Sequence, residues 1–327
     1  MLPIQKKMTR EALDVAAFAS SFALSEELRN KSLLITGASG MIGRTLVRCL
    51  ERLNEEHQLN LILYTPGHTT LDAWIKASTA PVDYIIHLAC PTASRDMVDH
   101  PVEVCDAIIG PTRRLLDFAQ QQRAVMVYIS SMEVYGTVET DEEISENYQG
   151  HVNPLSVRSS YPMGKRMAET LCYCHAQEFG TDVRIARLVQ TFGAGISTRD
   201  QRVFAQFARS VVTGQDIVLH TQGKSSRKYL YLTDAVSALL YILLKGERGE
   251  AYNAAHPESY TSILGLAEML QREFAPAIEV RVELQENHPY PQESHLNLSV
   301  AKLEALGWRA QVPLPEMFSR LIESLKE

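Results

Sequence analysis

Tyr161 and Lys165 stand four residues apart in a segment, Ser160 to Phe179, whose apolar spacing predicts a helix. Residues i and i+4 share a helix face, so the Lys165 ammonium is expected beside the Tyr161 phenol. A nearby cation favours the phenolate and is expected to pull the tyrosine below its ordinary pKa of ~10. A phenolate tuned in this way can take a proton from a sugar or alcohol hydroxyl near neutral pH. Tyr-x-x-x-Lys also occurs on plain solvated helix faces, so other residues must decide.

The first of these is a glycine turn. Lys31 to Thr36 is a short apolar run, Gly37-Ala-Ser-Gly40-Met41-Ile42-Gly43 follows at once, and Arg44 to Leu50 continues with helical spacing. Strand, glycine turn and helix are the context a phosphate-cradling loop needs. Gly37 would allow the sharp turn, and Gly43 the close packing of helix on strand. Gly40 would let backbone N–H groups approach a pyrophosphate at the helix N-terminus.

The second is a strand end. Val125 to Ile129 reads as a buried parallel strand, with Ser130, Ser131 and Glu133 just past it. Open parallel sheets bind ligands outside the C-terminal ends of their strands. A serine there can hydrogen-bond the hydroxyl that Tyr161 deprotonates. Strand-end punctuation is the plain alternative.

The elements that must position these residues alternate as strand and helix. Leu59–Tyr64, Val82–Leu88 and Asp182–Arg187 read as further strands, and Val102–Gln122 as a long helix. This rhythm predicts an α/β fold, a doubly wound parallel sheet with right-handed crossovers. Beyond Gly193 it loosens: helices are expected over 202–213, 233–244, 263–274 and 314–325, and extended stretches over 229–232, 250–253 and 278–284. The expected division is an N-terminal helical extension over 1–30, a dinucleotide-binding part over 31–190 with about 229–255, and an interleaved substrate part over 191–228 and 256–327. Within 1–30, Ala12 to Leu24 reads as an amphipathic helix for packing or a dimer contact, preceded by Lys6 and Lys7.

A chain of 327 residues with 45% hydrophobic and 22% charged residues is ordinary for a globular protein. A net charge of −7 argues against nonspecific nucleic-acid binding, so an anionic substrate needs a local basic pocket. The five cysteines, Cys49, Cys90, Cys105, Cys172 and Cys174, have no repeating spacing, which points to reduced thiols and a cytoplasmic protein. Cys172 and Cys174 point apart on a helix, so no metal site is expected. Acidic residues interrupt every apolar stretch of 1–30, and no membrane anchor is expected.

Taken together, Thr36–Gly43, His87–Cys90, Ser130–Gly136, Tyr161–Lys165, Ala186–Gly193, Arg227–Asp234 and Leu306–Trp308 resemble the extended short-chain dehydrogenase/reductase family. Its members are sugar-nucleotide epimerases, dehydratases and decarboxylases with a Rossmann sheet. The resemblance implies a catalytic set of Ser131, Glu133, Tyr161 and Lys165. It implies cofactor contacts from Gly37, Gly40, Met41, Ile42, Gly43, Leu88, Ala89, Tyr161 and Lys165, and nucleotide-sugar contacts from Gln190, Arg202 and Arg227. Residues 158–172 look most like UDP-glucuronate decarboxylases, in which C4 of the sugar is oxidised, the β-keto acid loses carbon dioxide, and the ketone is reduced again. An epimerase or 4,6-dehydratase is the nearest alternative. A noncatalytic dinucleotide-binding sensor is the alternative of another class.

Two departures matter. Met132 stands where 4,6-dehydratases usually carry an aspartic acid, and a thioether cannot donate a proton. After the second strand, Tyr64-Thr-Pro-Gly-His68 holds neither the acidic residue typical of NAD enzymes nor an arginine for NADP. The stretch to Asp83 is also short for the usual third strand. NAD is expected, with NADP left open. The two long helices, 102–122 and 160–179, correspond to a four-helix dimer interface in the family, which implies a homodimer.

Overall fold

Thr9 caps the first helix: its side chain accepts the Ala12 N–H at 3.3 Å, opening α1 (Arg10–Ser21). Strand β1 (Ser32–Thr36) is buried at every position. It is followed by α2 (Met41–His57), β2 (Ile62–Tyr64), α3 (Leu71–Ala77), β3 (Tyr84–His87), α4 (Asp96–Asp99), α5 (Pro101–Gln122), β4 (Val125–Ser131), α6 (Ser160–Phe179) and β5 (Val183–Leu188). The second half carries β6 (Gln190–Phe192), α7 (Val203–Thr213), β7 (Ile217–Leu219), β8 (Ser226–Arg227), β9 (Tyr229–Tyr231), α8 (Leu232–Lys245) and β10 (Ala251–Ala254). It closes with β11 (Thr261–Ser262), α9 (Ile263–Phe274), β12 (Val280–Val282), β13 (His295–Leu296), α10 (Ala301–Glu304) and α11 (Leu314–Leu325). This computed structural model describes residues 8–285 and 293–327. Lys6, Lys7 and positions 286–292 lie outside the described residues.

Six strands form one parallel sheet in the order β10-β5-β4-β3-β1-β2. The strand order reverses between β1 and β3, and a crevice opens at such a switch point. Thr36 pairs with His87 there, and His87 with Tyr128, so the turns after β1, β3 and β4 converge at one edge of the sheet.

Both sheet faces are covered, which accounts for strands buried on both sides. One core joins the sheet to α1, α2 and α8 through Phe18, Leu46, Leu50, Leu239 and Leu243. The other packs α5 and α6 through Ile108, Leu115, Ala168 and Cys172. A third core, centred on Phe192, Phe204, Leu270 and Phe318, binds α7, α9 and α11 together.

The second strand is shorter than expected. Gln58 and Asn60 take left-handed backbone conformations (φ 50° and 53°), so pairing starts only at Ile62. No strand lies between Tyr64 and Asp83; that stretch holds α3, and β2 is the edge of the sheet. The extended stretch expected over 278–284 is a strand only at Val280–Val282.

Helix α1 ties distant parts together. Buried Asp14 receives the Tyr231 hydroxyl, and Arg320 of α11 donates to it at 3.0 Å. Glu11 pairs with Arg48 of α2. The N-terminal segment thus packs on its own chain. No helix among the described residues is long and apolar enough to cross a membrane.

Candidate active site

The glycine turn follows β1 directly. Gly37 has φ +74°, and a Cβ there would stand 2.7 Å from the Ala89 N. A Cβ on Gly43 would run into the Gly37 carbonyl oxygen. Both glycines are demanded by the chain's own packing. Gly40 is different. It caps α2 at an ordinary φ of −70°, and an added Cβ would meet only the Gly37 oxygen, at 3.3 Å. The fold leaves room for a methyl group at 40, whereas a phosphate resting on this backbone would not. The turn therefore suits a dinucleotide, with Met41 and Ile42 half-buried in the first turn of α2.

The end of β3 is held against this turn. Leu88 N–H donates to the Thr36 carbonyl at 3.2 Å, and Ala89 N–H to Thr36 Oγ1 at 3.4 Å. Fully buried His87 bridges Thr36 Oγ1 (2.7 Å from Nδ1) and Thr112 Oγ1 (3.2 Å from Nε2). Thr112 spends its proton on the Ile108 carbonyl at 2.6 Å, so it accepts from Nε2–H and leaves Nδ1 as the acceptor for Thr36. Burial, with Lys165 nearby, holds the His87 pKa down to about 3, so the ring is neutral.

Tyr161 and Lys165 lie on the buried face of α6. Lys165 Nζ donates to the Ile129 carbonyl at 2.7 Å and stands 4.8 Å from the Tyr128 ring and 5.8 Å from the Tyr161 ring. The expected depression of the tyrosine pKa is not what this arrangement gives. Burial pushes the phenol up, Cys90 and Glu133 add to the rise, and Ser131 and Arg158 oppose it. Spacing put the cation on the right face, but burial of the phenol outweighs it.

Ser131 ends β4 and accepts the Glu133 N–H at 3.2 Å. Glu133 is gripped by Arg158, whose Nη2 donates to both carboxylate oxygens, at 3.1 and 2.9 Å. Met132 is buried. Sequence reasoning named Glu133 but missed Arg158. The signal available was a lone arginine three residues before Tyr161, and its partner lies 25 positions away.

The expected substrate contacts are spread more widely. Arg227 lies on β8, flanked by Thr261 and Leu296, and its Nε is buried without a hydrogen-bond partner. Gln190 opens β6 opposite Tyr229. Arg202 caps α7; Asp200 holds its Nε at 3.0 Å, and its Nη2 lies 3.4 Å from the Met41 sulfur. No hydrogen bond or ion pair joins Arg202 to Arg227 among the described residues. At the end of β2, where the family's adenosine-binding acid is absent, Tyr64 packs on Trp74 (5.2 Å between centroids) and Trp74 on Phe118 (6.0 Å). A cavity of about 200 Å³ between α3 and α5, lined by Asp72, Lys76, Arg114 and Phe118 among others, shares no residue with this set.

Known proteins place this geometry. The model of the NAD dependent epimerase/dehydratase family matches residues 33–255. UDP-glucuronic acid decarboxylase 6 of Arabidopsis thaliana is 32% identical over 88% of this chain and 86% of its own. UDP-glucuronic acid decarboxylase 1 of Danio rerio is 28% identical over 98% of this chain and 79% of its own. The solved UDP-glucose 4-epimerase of Thermotoga maritima, with UDP-glucose, superposes with a TM-score of 0.76 at 21% identity, covering 90% of this chain and 99% of that one, which shows the shared fold. A noncatalytic sensor is set aside by a match through more than half the chain: the protein is an enzyme and belongs to the NAD dependent epimerase/dehydratase family.

Proposed function

We propose that this enzyme decarboxylates a UDP-linked glucuronate through transient oxidation at C4. The observation that carries the reading is similarity to UDP-glucuronic acid decarboxylases along nearly the whole chain. The buried thioether of Met132 supports it against 4,6-dehydration, because it offers no proton to a departing hydroxyl.

NAD, when bound, supplies a two-electron acceptor that returns its electrons within each turnover. Tyr161, once ionised, takes the proton of the C4 hydroxyl as C4 is oxidised, and Ser131 hydrogen-bonds the same oxygen. Lys165, held by one N–H on the Ile129 carbonyl, has further N–H donors with which to orient the cofactor's ribose side. The 4-ketone lies β to the C6 carboxylate. The C5–C6 bond breaks, its electron pair enters the enolate, and carbon dioxide leaves. C5 takes a proton from solvent, relayed through the Glu133 carboxylate, and Tyr161 returns its own proton to the C4 oxygen. Arg227, with a buried unpartnered Nε, suits a diphosphate oxygen. Gln190 and Arg202 complete the proposed nucleotide-sugar contacts.

In this reading residues 31–190 with about 229–255 hold the cofactor, and 191–228 with 256–327 hold the nucleotide sugar. The aromatic packing of Tyr64, Trp74 and Phe118 supports an adenosine side without the usual ribose-binding acid. Exposed apolar side chains on α5 and α6 support a homodimer, and five free thiols support a cytoplasmic setting.

The test is incubation of the purified enzyme and NAD with UDP-glucuronate, UDP-glucose and dTDP-glucose, followed by mass spectrometry. Carbon dioxide and a UDP-pentose are expected from the first alone. Loss of water, or isomerisation at unchanged mass, from a neutral sugar would replace this reading with a dehydratase or an epimerase.

A further inference from the structure

Arg158 sits in the short 3-10 turn Val157–Ser159 that leads into α6. One nitrogen of its guanidinium, Nη2, serves both oxygens of Glu133. The other terminal nitrogen, Nη1, is buried and has no hydrogen-bond partner among the described residues. A buried donor of a charged group is costly to leave unmatched, and such orphans are rare in folded chains. It is well explained if its acceptor arrives with a ligand.

The surroundings restrict that ligand. Glu133 N–H rests on the Ser131 hydroxyl oxygen, and Arg158 precedes Tyr161 by three residues in the turn that runs into α6, so the pair lies beside the proton-transfer group. An anion entering here meets Glu133 already in place, and two carboxylates in a partly dry site repel. A planar guanidinium bridging both removes that repulsion, with one nitrogen for each. A hexuronate held with its C4 hydroxyl at Tyr161 carries its C6 carboxylate on C5, the neighbouring ring carbon.

We propose that Arg158 is the specificity-determining residue for an acidic sugar: Nη1 takes the C6 carboxylate while Nη2 stays on Glu133. The inference rests on the proposed function for one point, that the substrate is a hexuronate. A neutral hexose leaves Nη1 unmatched and is disfavoured. After decarboxylation the anion is gone, so the product has lost this anchor and leaves more easily.

The test measures binding by calorimetry to the NAD-loaded enzyme, for UDP-glucuronate, UDP-glucose and UDP. R158M is expected to weaken UDP-glucuronate by about 10- to 100-fold, the equivalent of one charged hydrogen bond. UDP-glucose and UDP should change by less than about 3-fold, because neither reaches Nη1. R158K should fall between, keeping the charge and losing the fork. E133Q, which leaves Arg158 in place, should retain the preference for the acidic sugar, and it keeps the test valid if R158M fails to fold. Equal weakening of all three ligands by R158M, unchanged binding of UDP-glucuronate, or loss of the preference in E133Q would overturn the proposal. If the unaltered enzyme binds UDP-glucuronate no better than UDP-glucose, the proposed substrate falls first, and the two failures are thereby told apart.

Discussion

Lys165 Nζ donates to the carbonyl oxygen of Ile129 across 2.7 Å, so the ammonium is anchored to the end of β4 and not to the phenol one helical turn before it. That bond joins α6 to the strand carrying Ser131, and it fixes the distance between the two halves of the site. In the proposed mechanism the lysine thus has a structural task beside its chemical one. Replacing Tyr161 by Phe removes only chemistry: turnover should fall by about 10²- to 10⁴-fold, with the thermal midpoint nearly unchanged. Lys165→Met should lose comparable activity and also stability, because the Ile129 carbonyl is left without its donor, a cost of about 1–3 kcal/mol. Parallel kinetics and thermal melts separate the two. Equal stability of both variants would contradict the structural role of Lys165.

Burial raises the Tyr161 pKa, while Ser131 and Arg158 lower it. The base form of Tyr161 is therefore scarce at low pH, and kcat/KM should rise with pH through the neutral range. Ser131→Ala removes one of these lowering influences. The rising limb of the profile should move to higher pH. A shift to lower pH, or none, would remove Ser131 from contact with the phenol.

Gly40 and Gly43 make opposite predictions from one turn. Gly43→Ala forces a methyl group onto the Gly37 carbonyl and should compromise folding. Gly40→Ala meets only one atom, at 3.3 Å, and should fold normally. Its effect should fall on the cofactor: NAD affinity should drop by 10-fold or more, about 1.4 kcal/mol, when titrated by fluorescence or calorimetry. Unchanged NAD affinity in Gly40→Ala would mean that the phosphates lie elsewhere.

The elements were largely legible because their signals are local. Helical spacing set the bounds of 160–179, 263–274 and 314–325 as they are observed. Apolar runs located the parallel strands to within a few residues. The site was legible to the extent that i, i+4 spacing and strand-end position define it. What sequence could not supply depends on separation along the chain. The Glu133–Arg158 pair spans 25 positions, and the Asp14 contacts with Tyr231 and Arg320 span 217 and 306. The direction of the Tyr161 shift was likewise hidden, because burial is a property of the packed fold while the neighbouring cation is written in the spacing. The sequence shows only that the stretch after β2 is short; that it folds as α3 with Trp74 against Tyr64 is a matter of tertiary structure.

The outer faces of α5 and α6 expose Val102 (71%) and Met167 (45%), with Tyr173 and Phe179 near the far end of α6. Exposed apolar side chains on two adjacent helices suit a self-complementary contact about a twofold axis. Light scattering at micromolar concentration should give twice the chain mass. Val102→Asp combined with Met167→Asp should give a monomer that keeps its melting cooperativity. A monomer before mutation would end the homodimer proposal.

His87 predicts how the enzyme responds to acid. Its folded pKa is depressed to about 3, against ~6.5 in an unfolded chain. The unfolded state therefore binds more protons between these values, and stability is full above ~6.5 and is lost as pH falls towards about 3. This one group should contribute a slope of about 1.4 kcal/mol per pH unit within that window. His87→Gln keeps a donor and an acceptor between Thr36 and Thr112 but cannot titrate. Urea unfolding at pH 7.5 and 4.5 should show His87→Gln less stable than the parent at the higher pH, through imperfect fit, yet losing distinctly less on acidification. Parallel losses in both proteins would mean that His87 is already protonated in the fold, and the neutral bridge between Thr36 and Thr112 would have to be abandoned.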